Sequence, residues 1–203
     1  MLVAPSWGEE TLLNTCGAEL VDELIDAGFR VTLRPHYQTR WMTPDLIDRI
    51  AGKYADHPQF SLVEQMGESD SLFDSHVLIT DWSGAGMDYG MGLEKPVLYI
   101  DVPPKARNEW WPQLGLEPFE SFVRDKIGAI VSPDTLQVVP GRIHELLTDQ
   151  KTFRAEVEKL RDDWVFNYGH SAEAGAQAVA QLARLSDQRV AGNVSAGHQY
   201  SNE

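Results

Sequence analysis

Two loops hold the residues whose types and spacing could do chemistry. The first reads Arg34-Pro35-His36-Tyr37, with Arg40 a short step further on. It gathers cations in a chain that is otherwise strongly acidic, with 17 Lys and Arg against 31 Asp and Glu for a net charge of -14. Pro35 fixes its own φ and biases Arg34 toward extended backbone, so His36 is presented rigidly. An imidazole there can donate to a phosphate oxygen or transfer a proton near neutral pH. The plainer alternative is that His36 caps the helix that follows while Arg34 pairs with a surface carboxylate.

The second loop reads Asp81-Trp82-Ser83-Gly84-Ala85-Gly86, followed by Met87 and Asp88. Ser83, Gly84, Ala85 and Gly86 bring no bulky side chain. Small residues between a strand and a helix let backbone N–H groups converge on an anion, and the helix dipole adds to the attraction. The Ser83 hydroxyl can donate to the same oxygens, and Asp81 can orient a ribose, a sugar hydroxyl or the neighbouring loop. The alternative is a tight turn that needs small residues for helix–sheet packing. A third stretch, Asn167-Tyr168-Gly169-His170-Ser171, has two open readings: Ser171 caps the last helix with Glu173 in its first turn, or Gly169 and free N–H groups approach a phosphate.

Other chemistries find no support. Gly84-Ala85-Gly86 with Asp101 downstream is an incomplete dinucleotide fingerprint, because Tyr89 stands at the third small position and the stretch lies mid-chain. The chain has no GxxxxGK[ST], HExxH or GxSxG pattern, and no Cys/His pair with zinc spacing, so no metal and no cofactor is expected. Its one cysteine, Cys16, falls on the apolar stripe of a helix, which fits a reducing compartment and not a nucleophile. His57, His76, His144 and His170 fall on a turn, a strand, a helix and a cap, with nothing to bring them to His36.

The elements that must position these loops are legible as short apolar runs at 2–4, 31–33, 61–63, 76–80, 97–100 and 129–131, alternating with helical periodicity. Between the first two runs, Leu13, Cys16, Leu20, Leu24 and Ile25 recur at helical spacing and Gly28 stands where a helix ends. The next helix is expected to start with Thr43 as cap, Pro44 at its first position and Asp45 in its first turn. Continuous Val, Leu and Ile runs read as strands covered on both faces. The fold class is therefore α/β, a Rossmann-like doubly wound parallel sheet, in which ligands sit beyond the carboxyl ends of the strands, where both loops fall. Residues 101–118 form a long loop that either covers a site or packs Trp110 and Trp111 onto its own domain. Three helices follow from Pro140, with breaks near Asp149 and at 167–170. One domain is expected over 1–187, and a disordered polar tail over 188–203.

A chain of 203 residues with 42% hydrophobic and 24% charged residues is ordinary for a globular domain. Its charge repels a polyphosphate backbone, so nucleic acid is not an expected partner. No stretch approaches a membrane span and no basic amphipathic helix is present, so the expected location is cytoplasmic. A peripheral place at the inner face of the membrane would need segments outside this chain.

With both loops in hand, most of residues 1–185 resembles the C-terminal half of the CDP-glycerol glycerophosphotransferase family, the enzymes that polymerise teichoic acid backbones and their proteobacterial relatives. The strongest part is SDSLFDSHVLITDWSGAGMDYGMGLEKPVLYI, followed by LRPHY and the opening VAPSW. The resemblance implies the C-terminal, donor-nucleotide domain of a GT-B architecture. It implies transfer of glycerol phosphate from CDP-glycerol, or a related nucleotide-diphosphate donor, to a hydroxyl of a cell-envelope polymer acceptor. His36 matches the family's C-terminal histidine for donor phosphate, and Asp81 and Ser83 match the Asp and first Ser of its turn. Gly84 stands where the family has a second Ser. The family's N-terminal His-Gly-Thr loop has no counterpart here, which implies an N-terminal GT-B half in cis or in trans. The expected catalytic residues are His36 and Asp81; those expected to bind substrate are Arg34, Arg40, Ser83, Gly84, Ala85, Gly86, Asp88 and Ser171. The alternatives are a GT-B glycosyltransferase using a nucleotide sugar and a non-catalytic nucleotide- or protein-binding α/β module.

Overall fold

The computed structural model describes residues 1–64, 70–105, 108 and 110–197, with side chains up to 185. The chain divides into two compact units, Met1–Leu160 and Arg161–Glu203, where the sequence predicts one domain to 187. The first unit holds the sheet and both loops. Its strands are β1 (Leu2–Val3), β2 (Val31–Leu33), β3 (Phe60–Leu62), β4 (Leu78–Thr80), β5 (Val97–Ile100) and β6 (Gly128–Val131). All pair in parallel, in the order β3-β2-β1-β4-β5-β6. This is the doubly wound order of a Rossmann-like domain, whose topological switch point lies between β1 and β4.

Helix α1 (Leu12–Asp26) crosses from β1 to β2, with Leu13, Leu20 and Leu24 buried. It stops as predicted: Gly28 takes φ +84, its N–H donates to Ile25 O, and Phe29 N–H donates to Leu24 O. That pair of bonds is a Schellman motif, which glycine adopts without steric cost. Between β2 and β3 lie α2 (Tyr37–Met42) and α3 (Pro44–Lys53). The expected Thr43 cap is corrected here: its hydroxyl donates to Thr39 O and makes no cap bond to α3. The crowded α2–α3 corner puts Thr43 outside the extended backbone that a capping side chain needs, at φ -139 and ψ 59.

One face of the sheet carries Val3, Leu33, Ile79, Leu98 and Ile100 against α1, α3 and α7 (Val139–Thr148), and this is the main core. On the other face lie α4 (Asp70–Asp74), α5 (Ala85–Met87) running into a π-helical turn at Asp88–Gly92, and α6 (Phe119–Val123). Strands β4 and β5 are buried on both faces, as their unbroken apolar runs predict. Strands β2 and β3 are not. Thr32 and Ser61, hydrogen-bonded to each other at 3.1 Å, face a cavity of about 610 Å³ that begins beside Met1, Arg30, Gln59 and His76. Short α4 cannot cover a sheet face of that width, so polar side chains stand where the sequence predicts two covered faces.

In the loop after β5, Trp110 is 67% exposed, so it does not pack the loop onto the domain. Asp149 breaks the helices as expected and accepts Thr152 N–H, capping α8 (Gln150–Trp164). In the second unit, α9 runs from Ser171 to Gly197 where disorder is expected from 188. Polarity alone does not end a helix; the alanine-rich run after Ser171 favours one, and no proline interrupts it. Residues 198–203 of that expected tail lie outside the described residues.

Candidate functional site

A cavity of about 320 Å³ opens at the carboxyl ends of β1, β2 and β4. Its lining includes Arg34, His36 and Tyr37 from the first loop, Ser83, Ala85 and Asp88 from the second, and Glu64 beside them. The two loops are far apart in sequence and meet only because β1 lies between their strands. The site sits at the switch point, where the connections leave toward opposite faces and a crevice remains. The larger cavity on the sheet face starts from the amino ends of the strands and holds Asp70 and Asp74, a poor setting for an anion.

His36 caps the helix that follows and also lines the cavity. Its Nδ1 accepts Gln38 N–H at 3.1 Å, capping α2, while the ring lines the cavity. Burial, and then the Lys105 ammonium, hold the imidazole below its ordinary 6.5, so it is neutral near pH 7. With Nδ1 committed as acceptor, the proton sits on Nε2, which is then a donor. Tyr37 packs on the ring at 4.6 Å between centroids and Trp7 stacks at 6.0 Å. Lys105 lies 3.5 Å over the Trp7 ring and donates to Trp7 O, which fixes the outer side of this stack.

Arg34 does not pair with a carboxylate among the described residues; its Nη1 donates to Ser71 Oγ at 3.4 Å, a weak bond for a cation. Its charge therefore remains available to the cavity. Arg40 is different. Its Nη1 meets Asp48 at 2.5 Å and its other edge meets Glu64, so the cation expected to bind substrate neutralises carboxylates and is absent from the cavity lining.

Asp81 is wholly buried. Oδ1 accepts Ser6 N–H at 2.7 Å and Oδ2 accepts Leu12 N–H at 2.8 Å. Of its three sequence readings, the structure supports orientation of a neighbouring loop. Both oxygens are spent on the 6–12 segment and on the N-terminus of α1, where a negative charge also suits the helix dipole. The expectation of Asp81 as a catalytic group is corrected accordingly: it positions, and does not reach the cavity.

Within the second loop the small residues divide by role. Gly86 is required for packing, since a Cβ there would stand 2.5 Å from Tyr99 Oη. Gly86 is therefore not part of an open cradle. Gly84 has nothing within 4 Å of a built Cβ and takes φ -55, so its backbone would accept a side chain. Ser83 Oγ accepts Ala85 N–H at 3.4 Å, and Gly86 N–H donates to Ser83 O at 3.0 Å. Ser83, Ala85 and Asp88 reach the cavity; Gly84 and Gly86 are not in its lining. Ser171 belongs to the second unit as the first residue of α9, and its hydroxyl donates to Asn167 O instead of capping an amide. Cys16 is buried in α1, where burial and then the charges of Glu19 and Asp81 push its thiol up to about 12. It is no nucleophile.

No family model matches the chain, and no curated protein matches it. Solved structures do. The glycotransferase of kitacinnamycin is similar over 89% of this chain and 43% of its own, with a TM-score of 0.51 and 16% identity. The UDP-GlcNAc 2-epimerase of Methanocaldococcus jannaschii, solved with UDP-GlcNAc and UDP, is similar over 78% of this chain and 44% of its own, with a TM-score of 0.48 and 12% identity. The chain thus spans less than half the length of these relatives. The fold is that of one Rossmann-like domain of the GT-B architecture. No helix among the described residues is long and apolar enough to cross a membrane.

Proposed function

We propose that this chain is the donor-binding half of a GT-B transferase acting on a nucleoside-diphosphate donor, with CDP-glycerol as the donor and glycerol phosphate as the group transferred. One observation carries this reading: the switch-point cavity joins Arg34, which pairs with no carboxylate among the described residues, a neutral His36 with Nε2–H to give, and the Ser83–Ala85 turn. These are donors of three kinds around one space, suited to the oxygens of a diphosphate. His36, Arg34 and Ser83 would stabilise charge on the transferred phosphate and the leaving nucleotide; the Asp88 carboxylate, which would repel phosphate, suits a donor hydroxyl. Holding an acceptor hydroxyl in line and taking its proton would fall to a second half, in cis or in trans. The polymer acceptor is therefore no part of what this chain alone should bind.

Titration calorimetry with CDP-glycerol, CDP, UDP-glucose and NADH tests the proposal. Binding of CDP-glycerol and CDP above UDP-glucose is expected. Preference for UDP-glucose would favour the second reading, a nucleotide-sugar donor, which the likeness to a glycotransferase supports at the level of fold. Binding of NADH alone would defeat both.

A further inference from the structure

The turn at Ser83–Gly86 rests on a buried cation that neither loop contributes. Arg124, which follows α6, is 4% exposed. Its guanidinium carbon lies 4.1 Å from the Trp82 ring centroid and 5.0 Å from that of Tyr99. Nη2 donates to Asp101 Oδ1 at 3.1 Å, and the Asp101 side chain is 55% exposed. Nε has no hydrogen-bond partner among the described residues. The side chain lines a small space of about 10 Å³ together with Asp81, Trp82, Ser83, Tyr99 and Glu120, room for about one water molecule.

A buried guanidinium with one half-exposed partner and an orphaned donor is a costly way to stabilise a fold, since apolar packing of the same volume would do as well or better. Its surroundings give it another role. Each ring it touches borders the turn. Trp82 precedes Ser83 and is pinned by its own N–H to Val102 O at 2.8 Å. Tyr99 closes against Gly86 so tightly that no side chain fits there. A planar guanidinium can lie against both rings at once and still donate to Asp101; a lysine ammonium, compact and strongly hydrated, can sit over one ring, as Lys105 does over Trp7, but cannot reproduce that two-sided flat contact.

We infer that Arg124 is a positioning residue for the anion-binding turn, holding Trp82 and Tyr99 so that Ser83–Gly86 keeps the conformation that presents Ser83 and Ala85 to the cavity. The inference rests on the reading of that turn as a phosphate site. The test uses the full chain with Arg124→Lys and Arg124→Gln, and two readouts. Amide hydrogen exchange at Ala85 and Gly86 should quicken about tenfold in both variants, against unchanged exchange in β1 and α1, and pyrophosphate and CDP should bind about tenfold more weakly. Arg124→Lys keeps the charge, so its failure to rescue identifies the two ring contacts as the cause. Wild-type exchange and affinity in Arg124→Lys would overturn the inference, and that variant decides the matter if Arg124→Gln does not fold. If the wild-type chain binds neither pyrophosphate nor CDP, the phosphate reading fails, while local exchange at Ala85 and Gly86 still decides whether Arg124 positions the turn.

Discussion

Asp81→Asn separates a positioning carboxylate from a catalytic one. In the native chain both oxygens of Asp81 accept buried backbone amides, those of Ser6 and Leu12, at 2.7 and 2.8 Å. Asparagine keeps one acceptor oxygen and turns an NH₂ toward the other amide. At about 1–3 kcal/mol for a buried donor left without a partner, the variant should lose about 1–3 kcal/mol. That is a sizeable share of the ~5–15 kcal/mol that holds such a domain together. The corresponding fall in melting temperature is roughly 2–12 °C. Urea unfolding followed by circular dichroism measures the loss, and amide exchange locates it: Ser6 or Leu12 should exchange faster, with β5 unaffected. Nucleotide affinity, measured where the variant is still folded, should fall only modestly, because no Asp81 atom reaches the cavity. A variant of wild-type stability that has lost nucleotide binding altogether would refute the reasoning and return Asp81 to direct contact with the ligand.

Further expectations concern the cavity itself. His36→Ala should weaken binding of a diphosphate by about 1.5–3 kcal/mol, the value of a hydrogen bond to a charged group, and cost ~1 kcal/mol of stability through the lost cap on Gln38 N–H; calorimetry and melting temperature report the two together. The same histidine makes stability pH-dependent. Its folded-state value lies below 6.5, so the unfolded chain binds the extra proton first, and stability is full above 6.5 and lost as pH falls through the window beneath it; urea midpoints across that window should slope less in His36→Ala. Gly84→Ser has open space and ordinary backbone and lies outside the cavity lining, so melting temperature should report a stability change of less than ~0.5 kcal/mol and calorimetry an unchanged diphosphate affinity. Gly86→Ala should cost about 1–3 kcal/mol through its clash with Tyr99 Oη, and Tyr99→Phe should recover part of that loss in a double-mutant cycle, the ring carbons Cε1 and Cζ remaining at 3.0 and 3.1 Å.

What the sequence revealed follows the range of the interactions involved. The six strands, the end of α1 at Gly28 and the break at Asp149 are set by periodicity, glycine and capping within a few residues, and they stand where the sequence predicts them. The meeting of Arg34 and His36 with Ser83 was legible through topology, because both loops follow strands and a doubly wound sheet collects such loops along one edge. For Asp81 the sequence offered loop orientation as one of three readings and could not choose it, since the partners Ser6 and Leu12 lie 75 and 69 positions away and no local pattern marks them. Arg40 misled for the same reason: its type suits phosphate, but folding brings Glu64 to it from β3's far end and Asp48 from α3. Arg124 carried no sequence signal, as an arginine after a short helix ordinarily faces solvent. Its burial between two aromatic rings exists only in the folded domain.

The central claim is that a nucleoside diphosphate binds where the first and second loops meet. Amide chemical-shift mapping of the ¹⁵N-labelled chain during titration with CDP tests it most directly. The account predicts saturable shifts concentrated at Arg34, His36, Tyr37, Ser83, Ala85 and Asp88, abolished or displaced to higher concentration by His36→Ala. Shifts gathered instead around Arg30, Gln59 and Asp70 on the open sheet face, with residues 34–37 and 83–88 unmoved, would contradict it.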